Sequence, residues 1–469
     1  MRIAQINTYD IAGGAERVSR ELHREYRRRG EESWLLVGCK RGDEEGVLEI
    51  PNALARNAWA RTWLSIADTV APLRSGPAPP IGWRVRRAAS RAIGEPGRAL
   101  AHRLGREDFH YPGSATLPEL PSAPPDVLHA HNLHGGVLPD RGYFDLRLLP
   151  ELSRRFPFVL TLHDAWLLSG HCAHSLDCER WTTGCGECPD LTIYPAVERD
   201  ATAWNFRRKR AIYEQSSLYV ATPCEWLMRK VERSMLRHGI VEARVIPYGV
   251  DLESFRPAPD PAAVRAELGL PPDAYVLLFA ANGIRQNDWK DFETLRAAVG
   301  LLAERLQMPE VVFLALGESA PPERVGRAEI RFVPFERETR KVARYYQAAN
   351  LYVHASRAET FPVTILEALA SGTPVVASAV GGISEQVDST TGALVPERDP
   401  SGLAEAAESL LRDERRRREL GANAAAVATR RYDRRREADD YLAWYRELVE
   451  SRADPGRLAK RPAKQASSV

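Results

Sequence analysis

Two glutamates, Glu359 and Glu367, stand in "HASRAETFPVTILEALASGTPVVAS" (354–378), around a proline and within an apolar run. A carboxylate presents paired acceptor oxygens, so two of them at this spacing could grip neighbouring hydroxyl groups. "LYVHAS" (351–356) reads as a strand. Pro362 suits the first turn of a helix, where its missing N–H costs nothing. "PVTILEALAS" continues that helix to Gly372, where glycine suits a left-handed cap, and Pro374 follows. Glu359 is therefore expected on the loop feeding the helix, and Glu367 about one and a half turns inside it. Between them lies a helix start with free N–H groups and a partial positive charge, which suits an anion. A glutamate early in a helix also suits the dipole with no ligand present, so the remaining chain must decide.

The positioning elements form two series. The first runs "RIAQIN", a helix over 14–29, "SWLLVG" (33–38), "DVLHAH" (126–131), "FVLTLH" (158–163), "LYVATP" (218–223) and "ARVIPYG" (243–249). The second runs "AYVLLFAAN" (274–282), "VVFLALG" (311–317), "IRFVPF" (330–335), "LYVHAS", "TPVVAS" and "GALVPE". Short apolar strands between helices imply parallel sheets covered on both faces. The expected fold class is α/β, two doubly wound Rossmann-like domains facing each other across a cleft. The first is expected over 1–252, with an irregular basic insertion at 51–125 and a Cys-rich loop at 171–190. The second spans 253–432, after a Pro-rich hinge at "GVDLESFRPAPDPAAV". A helix at 433–452 packs back toward the first domain, and 453–469 form a disordered tail.

Composition narrows the classes. A net charge of +2 over 469 residues argues against a dedicated nucleic-acid binder. No apolar run approaches the roughly 20 residues of a membrane span. The first strand follows Met1 directly, which predicts no secretory signal and cytoplasmic residence, at the inner face of the plasma membrane if 51–110 touches it. The insertion carries Trp59, Trp63, Trp83 and ten arginines between Arg56 and Arg106. Such a segment could lie on an anionic membrane, or could equally be solvated helices packed on the domain.

In open parallel sheets ligands bind beyond the carboxyl ends of the strands. Those ends carry Gly13 and Gly14, His131 and Asn132, and His163 and Asp164 in the first half. In the second they carry Arg285, Lys290, Glu359 and the pair Gly381–Gly382. The second wall suits a diphosphate, because cations and backbone amides stabilise charge that builds on a departing nucleotide. Glycine permits close backbone approach at 13–14. "AGGAER" lacks the G-x-G-x-x-G pattern, which counts against a nicotinamide oxidoreductase.

"E-T-F-P-V-T-I-L-E", "EALASGTPVVAS", "GGISE" and "IPYGVDLESFRP" resemble the E-x7-E region of retaining family-four glycosyltransferases of the GT-B fold. "EDFHYPGS", "DVLHAHNLHGG", "TLHDAWLLSGHC", "CERWTTGCGECP" and "WNFRRKRAIY" are similar to the exopolysaccharide, colanic-acid-type branch. The resemblance implies a catalytic pair, Glu359 at the donor sugar and His163 near the reaction centre. It implies donor binding by Glu367 on the ribose, by Arg285 and Lys290 on the diphosphate, by Gly13 and Gly14, and by the amides of Phe361, Val363 and Thr364. His131, Asn132 and Asp164 fall on the acceptor side. Pro362 departs from the usual F-G-L, removing one amide donor, and the loop carrying Arg285 is longer than usual. The leaving diphosphate is expected to take the acceptor's proton, so catalysis needs no metal or other cofactor.

The implied reaction moves a sugar from a nucleotide-sugar donor to a saccharide or polyprenyl-linked acceptor with retention, in exopolysaccharide or other cell-surface glycan synthesis. A sugar-nucleotide epimerase of the same fold, or a non-catalytic assembly scaffold, is the alternative. Cys172, Cys178, Cys185 and Cys188, with His171 and His174 beside them, follow C-x5-C-x6-C-x2-C. They fit a structural zinc site or four reduced thiols. Cys39 and Cys224 read as packing residues.

Overall fold

The computed structural model describes residues 1–11, 13–69, 81–135, 142–287, 289–306 and 310–453. Seven strands make a first sheet: β1 (Arg2–Tyr9), β2 (Glu32–Cys39), β3 (Val47–Glu49), β4 (Val127–Ala130), β5 (Phe158–Thr161), β6 (Leu218–Thr222) and β7 (Ile240–Val245). Seven more make a second: β8 (Tyr275–Ala280), β9 (Val311–Leu316), β10 (Glu323–Val325), β11 (Ala328–Val333), β12 (Leu351–His354), β13 (Val375–Ser378) and β14 (Gly392–Val395). Their orders are β3-β2-β1-β4-β5-β6-β7 and β10-β11-β9-β8-β12-β13-β14. Each order reverses direction beside its first strand, so strand ends on either side of that reversal leave room for a ligand.

The central strands are apolar on both faces because helices cover both. Ile3, Ile6, Leu36, Leu128, Leu160 and Val220 are fully buried in the first sheet, as are Val276, Leu278, Phe313, Leu351 and Val376 in the second. Register pairs Ile6 with Leu36 and Ala130, and Leu277 with Phe313 and Leu351. The expected all-parallel second sheet needs one correction. β10 pairs antiparallel with β11 through a short turn at Gly326, whose φ is 57°. Its three residues are too few to show an apolar run, so this edge strand left no clear mark in the sequence.

Contact density divides the chain into two units: Met1–Ala221, Arg229–Arg244 and Tyr441–Val469, and Thr222–Met228 with Val245–Asp440. The second unit thus begins before residue 253 and takes in the Pro-rich stretch. The last helix, Arg434–Ala453, has the expected length and lies one residue later than the expected 433–452. Its residues from Tyr441 onward belong with the first unit. There Trp444 meets Tyr219 edge-on at 6.3 Å, and the Tyr441 hydroxyl lies 2.7 Å from Thr161 Oγ1. Each such ring buried from water stabilises by about 1.5–3 kcal/mol. Most of the expected tail lies outside the described residues.

The stretch expected to be irregular is largely helical. Ala58–Thr69, Ile81–Gly94 and Pro96–Arg103 are α-helices, and Pro112–Glu119 is a 3-10 helix. Arginines and alanines interrupt the apolar positions, most of all in Ile81–Gly94, so the 3.6-residue apolar period is faint in the sequence. The side chain of Trp83 and the segment 70–80 lie outside the described residues. Among those residues, no helix is long and apolar enough to cross a membrane.

Candidate active site

In the second unit, the loop after β12 leads into the helix Val363–Ala370. Pro362 is its N-cap, one position earlier than expected, with φ −62° and ψ 121°. The helix closes at Gly372, where φ is 72°, a left-handed value that favours glycine. Residues 289–291 run against 355–357: Arg357 N–H donates to Trp289 O at 3.0 Å, and Asp291 N–H to Ala355 O at 3.2 Å. This short pairing delivers Lys290 to Glu359, and the two form an ion pair. Burial brings the Lys290 ammonium down to about 8. Gly381, with φ 57°, holds the rear of the same loop. A Cβ there would stand 1.8 Å from Glu359 O, so the chain requires glycine.

Glu367 is buried within the helix and accepts a 2.7 Å hydrogen bond from the Tyr346 hydroxyl. Tyr346 stacks on Tyr352, and Tyr352 lies beside His354 with its hydroxyl 3.3 Å from Nδ1. His354 is fully buried, and its Nε2 comes within 3.5 Å of Glu359 Oε1 without an aligned hydrogen bond. Burial first, and the Lys290 charge second, hold this ring well below the ordinary histidine pKa. One aromatic column therefore runs under both glutamates. Neither Tyr346 nor His354 was found by sequence reasoning, since their apolar surroundings make them look like core. Arg285 lies apart: its Nε is 2.5 Å from Glu318 Oε1 and its guanidinium covers Phe332. Phe361 is buried against Tyr248 and Tyr432, leaving only its backbone for a ligand.

The strand ends of the first unit gather histidines. His131, just past β4, points Nε2 at Gln5 Oε1 and Nδ1 at His163 Nε2, both at 3.0 Å. His163, just past β5, stacks on His131 with centroids 5.2 Å apart, and His129 lies on the other side of His131 at 4.2 Å. Burial drives all three pKa values down: His163 to about 4, His129 to about 3, and His131 well below the usual value. The array is neutral at pH 7, so each ring has one donor and one acceptor nitrogen. With Gln5 oriented as it stands, His131 donates to Gln5 and accepts from His163.

Asp164 turns to His134, 2.7 Å away, and accepts from Trp166 N–H at 2.9 Å. Burial alone would raise this carboxyl, but His134 and the amide carry it to about 2. His134 was missed because no strand pattern marks it. Gly13 caps the helix Gly14–Arg28, and its N–H donates to Glu16 Oε2 at 2.9 Å. Burial raises the Glu16 carboxyl. Gly14 faces open space. The Asn132 carbonyl accepts from the Tyr143 hydroxyl.

The six cysteines are free thiols. Cys188 Sγ lies 3.3 Å from His171 Nε2, and Gly170 N–H points at Cys185 Sγ from 3.3 Å. Among the described residues no three His, Cys, Asp or Glu side chains are placed to hold a metal ion. The side chains as they stand do not form a zinc tetrahedron.

Two doubly wound units, each on a seven-stranded sheet, are the architecture of the GT-B class. UDP-glucose-bound HepE (Alr3699) from Anabaena shares the architecture, with a TM-score of 0.55 and 18% identity over 94% of this chain and 99% of that one. Sucrose-phosphate synthase from Thermosynechococcus elongatus aligns with a TM-score of 0.60 and 21% identity over 96% and 100%. Residues 274–413 match the family model for glycosyl transferases group 1. D-inositol 3-phosphate glycosyltransferase 1 of Catenulispora acidiphila is 30% identical over 342 residues, 69% of this chain and 73% of the relative. The chain belongs to the group 1 glycosyltransferases.

Proposed function

We propose that this chain moves a sugar from a nucleotide-sugar donor to a saccharide or polyprenyl-linked acceptor, with retention, in exopolysaccharide or other cell-surface glycan synthesis. The observation that carries the donor reading is the placement of Glu359, Lys290 and Glu367 around one helix start. A diphosphate carries more negative charge than one carboxylate, so it competes for the Lys290 ammonium and frees Glu359 for the sugar. Glu367, held by Tyr346, takes the ribose hydroxyls. The amides of Phe361, Val363 and Thr364 add a partial positive charge worth about 0.3–2 kcal/mol. That is a modest rate effect, so Lys290 carries the larger share. Arg285 joins only by leaving Glu318. Gly13 and Gly14 leave room for a phosphate-bearing ligand, and neutral His163 bonds a sugar hydroxyl. Proton transfer to the leaving diphosphate requires no metal. UDP-glucose in the HepE complex supports the same class of donor.

The basic insertion supports contact with an anionic bilayer. Leu54, Trp59, Ile93 and Leu100 are exposed there among the arginines, the pairing that favours a headgroup surface. Sedimentation with anionic but not neutral vesicles is expected; equal recovery with both removes that part.

The donor reading is tested by thermal shift with a panel of nucleotide sugars, followed by product analysis. A true donor raises Tm by mass action, and an acceptor-dependent product keeps the donor's anomeric configuration. No stabilisation by any nucleotide sugar, or epimerised donor formed without acceptor, overturns it.

A further inference from the structure

The first unit holds a cavity of about 840 Å³ walled by the insertion and the helix Thr202–Tyr213. Its charges do not balance. Glu95 is bonded by Arg56 and Arg98, at 3.0 and 2.6 Å. Arg98 also holds Asp108, Asp145 holds Arg147, and Glu107 holds the buried Lys209 at 2.9 Å. Four carboxylates thus answer four cations. Arg106 and Arg208 remain, and among the described residues neither makes an ion pair. Both lie over the Trp204 ring, at 4.8 and 5.0 Å, and Arg208 also covers Phe109 and donates from Nη1 to the Glu107 carbonyl at 2.9 Å. Burial first and the nearby Arg147 charge second weigh against the Arg208 guanidinium, and Asp145, Asp108 and Glu107 offset only part of that cost; a bound anion would relieve more of it.

A second cavity, of about 380 Å³, shares Arg106, Glu107 and Asp108 with the first. Its walls are aromatic, including Phe109, Tyr111, Trp166 and Tyr194, and His134 reaches it from the strand end. The flat rings suit the face of a sugar, and His102, His134 and Glu198, which also line the cavity, suit its hydroxyl groups.

We propose that the two cavities form one site for a phosphorylated saccharide, its ring on the aromatic walls and its phosphoryl group between Arg106 and Arg208. The proposal rests on the reading of the chain as a transferase with a saccharide acceptor, and it names the class of that acceptor. Two guanidiniums without a carboxylate partner, one of them already donating to the Glu107 carbonyl, match a phosphate, which carries nearly two charges and three acceptor oxygens. A carboxylate can bridge both but brings only one charge against their two.

The test titrates the full-length protein, by calorimetry and tryptophan fluorescence, with glucose 1-phosphate, farnesyl diphosphate in detergent, glucose and glucuronate. At least one phosphoryl probe should bind tenfold or more tightly than glucose or glucuronate. Preference for glucose 1-phosphate assigns a free sugar phosphate; preference for farnesyl diphosphate assigns a lipid-linked one. Arg106→Gln, at an exposed position, and Arg208→Gln should each weaken that binding at least tenfold, while nucleoside diphosphate affinity stays at the wild-type value. Glucuronate binding as tightly as the phosphoryl probes, no binding of either phosphoryl probe, or unchanged affinity in Arg106→Gln with its fold intact, overturns the proposal. Nucleotide binding that survives such a failure leaves the donor reading standing. Loss of nucleotide binding in the wild type defeats the donor reading, and the arginine comparison is still read.

Discussion

The two sheets end in polar clusters of opposite character. At the ends of β4 and β5 three neutral histidines lie ring against ring, and two of them, His131 and His163, are bonded in series with Gln5. Past β12, Lys290 and Glu359 form an ion pair, with Glu367 buried behind them. The same strand topology therefore supplies two kinds of surface. A neutral array gives directional hydrogen bonds and suits hydroxyl groups, whereas a charged pair at a helix start suits an anion that can displace one member.

The largest effect should come from the charged cluster. Glu359→Gln keeps the shape but removes the charge that answers Lys290, and should lower kcat about 100–1,000-fold with little change in donor KM. Equal loss from His131→Asn would erase the distinction between clusters. The wild-type basic limb should follow loss of the Lys290 ammonium near pH 8.

Acid stability should belong to the other cluster. His163 and His129 have folded pKa values of about 4 and about 3, below the unfolded value of about 6.5. Between those limits the unfolded chain binds more protons, so stability falls as pH drops from 6.5, by about 1.4 kcal/mol per unit and group. Denaturant melts from pH 7 to 4 should show this slope, shallower in His163→Gln. An unchanged slope would mean the array is not protonated on unfolding.

Gly381→Ala should destabilise by more than about 1 kcal/mol, since alanine disfavours the positive φ and its Cβ meets Glu359 O. Melting would show whether the second unit bears the loss. The finest comparison is within the aromatic column. Glu367→Ala should raise donor KM more than Tyr346→Phe, which removes one hydrogen bond of about 1 kcal/mol. Equal KM values in both would leave Glu367 without a ribose contact.

The strands and their ends were legible because a parallel sheet forces nearly continuous apolar runs and places polar residues at their carboxyl ends. Glu359, Lys290, His131 and His163 stand on the segments that follow such ends, and Glu367 lies within the helix that one of them feeds. Partners joined by folding were not legible. Tyr346 and His354 are drawn under the glutamates from core positions, Glu16 caps its own helix, and Arg285 turns to Glu318, far along the chain. The helices of 58–103 were only one of two readings of that stretch, because arginines dilute the apolar period.

A crystal soaked with the stabilising nucleotide sugar tests the donor site most directly. The diphosphate should lie within hydrogen-bonding reach of Lys290 at the start of the helix Val363–Ala370, with the ribose on Glu367 and the Lys290–Glu359 pair opened. A diphosphate bound elsewhere, with that ion pair still closed, would contradict the assignment.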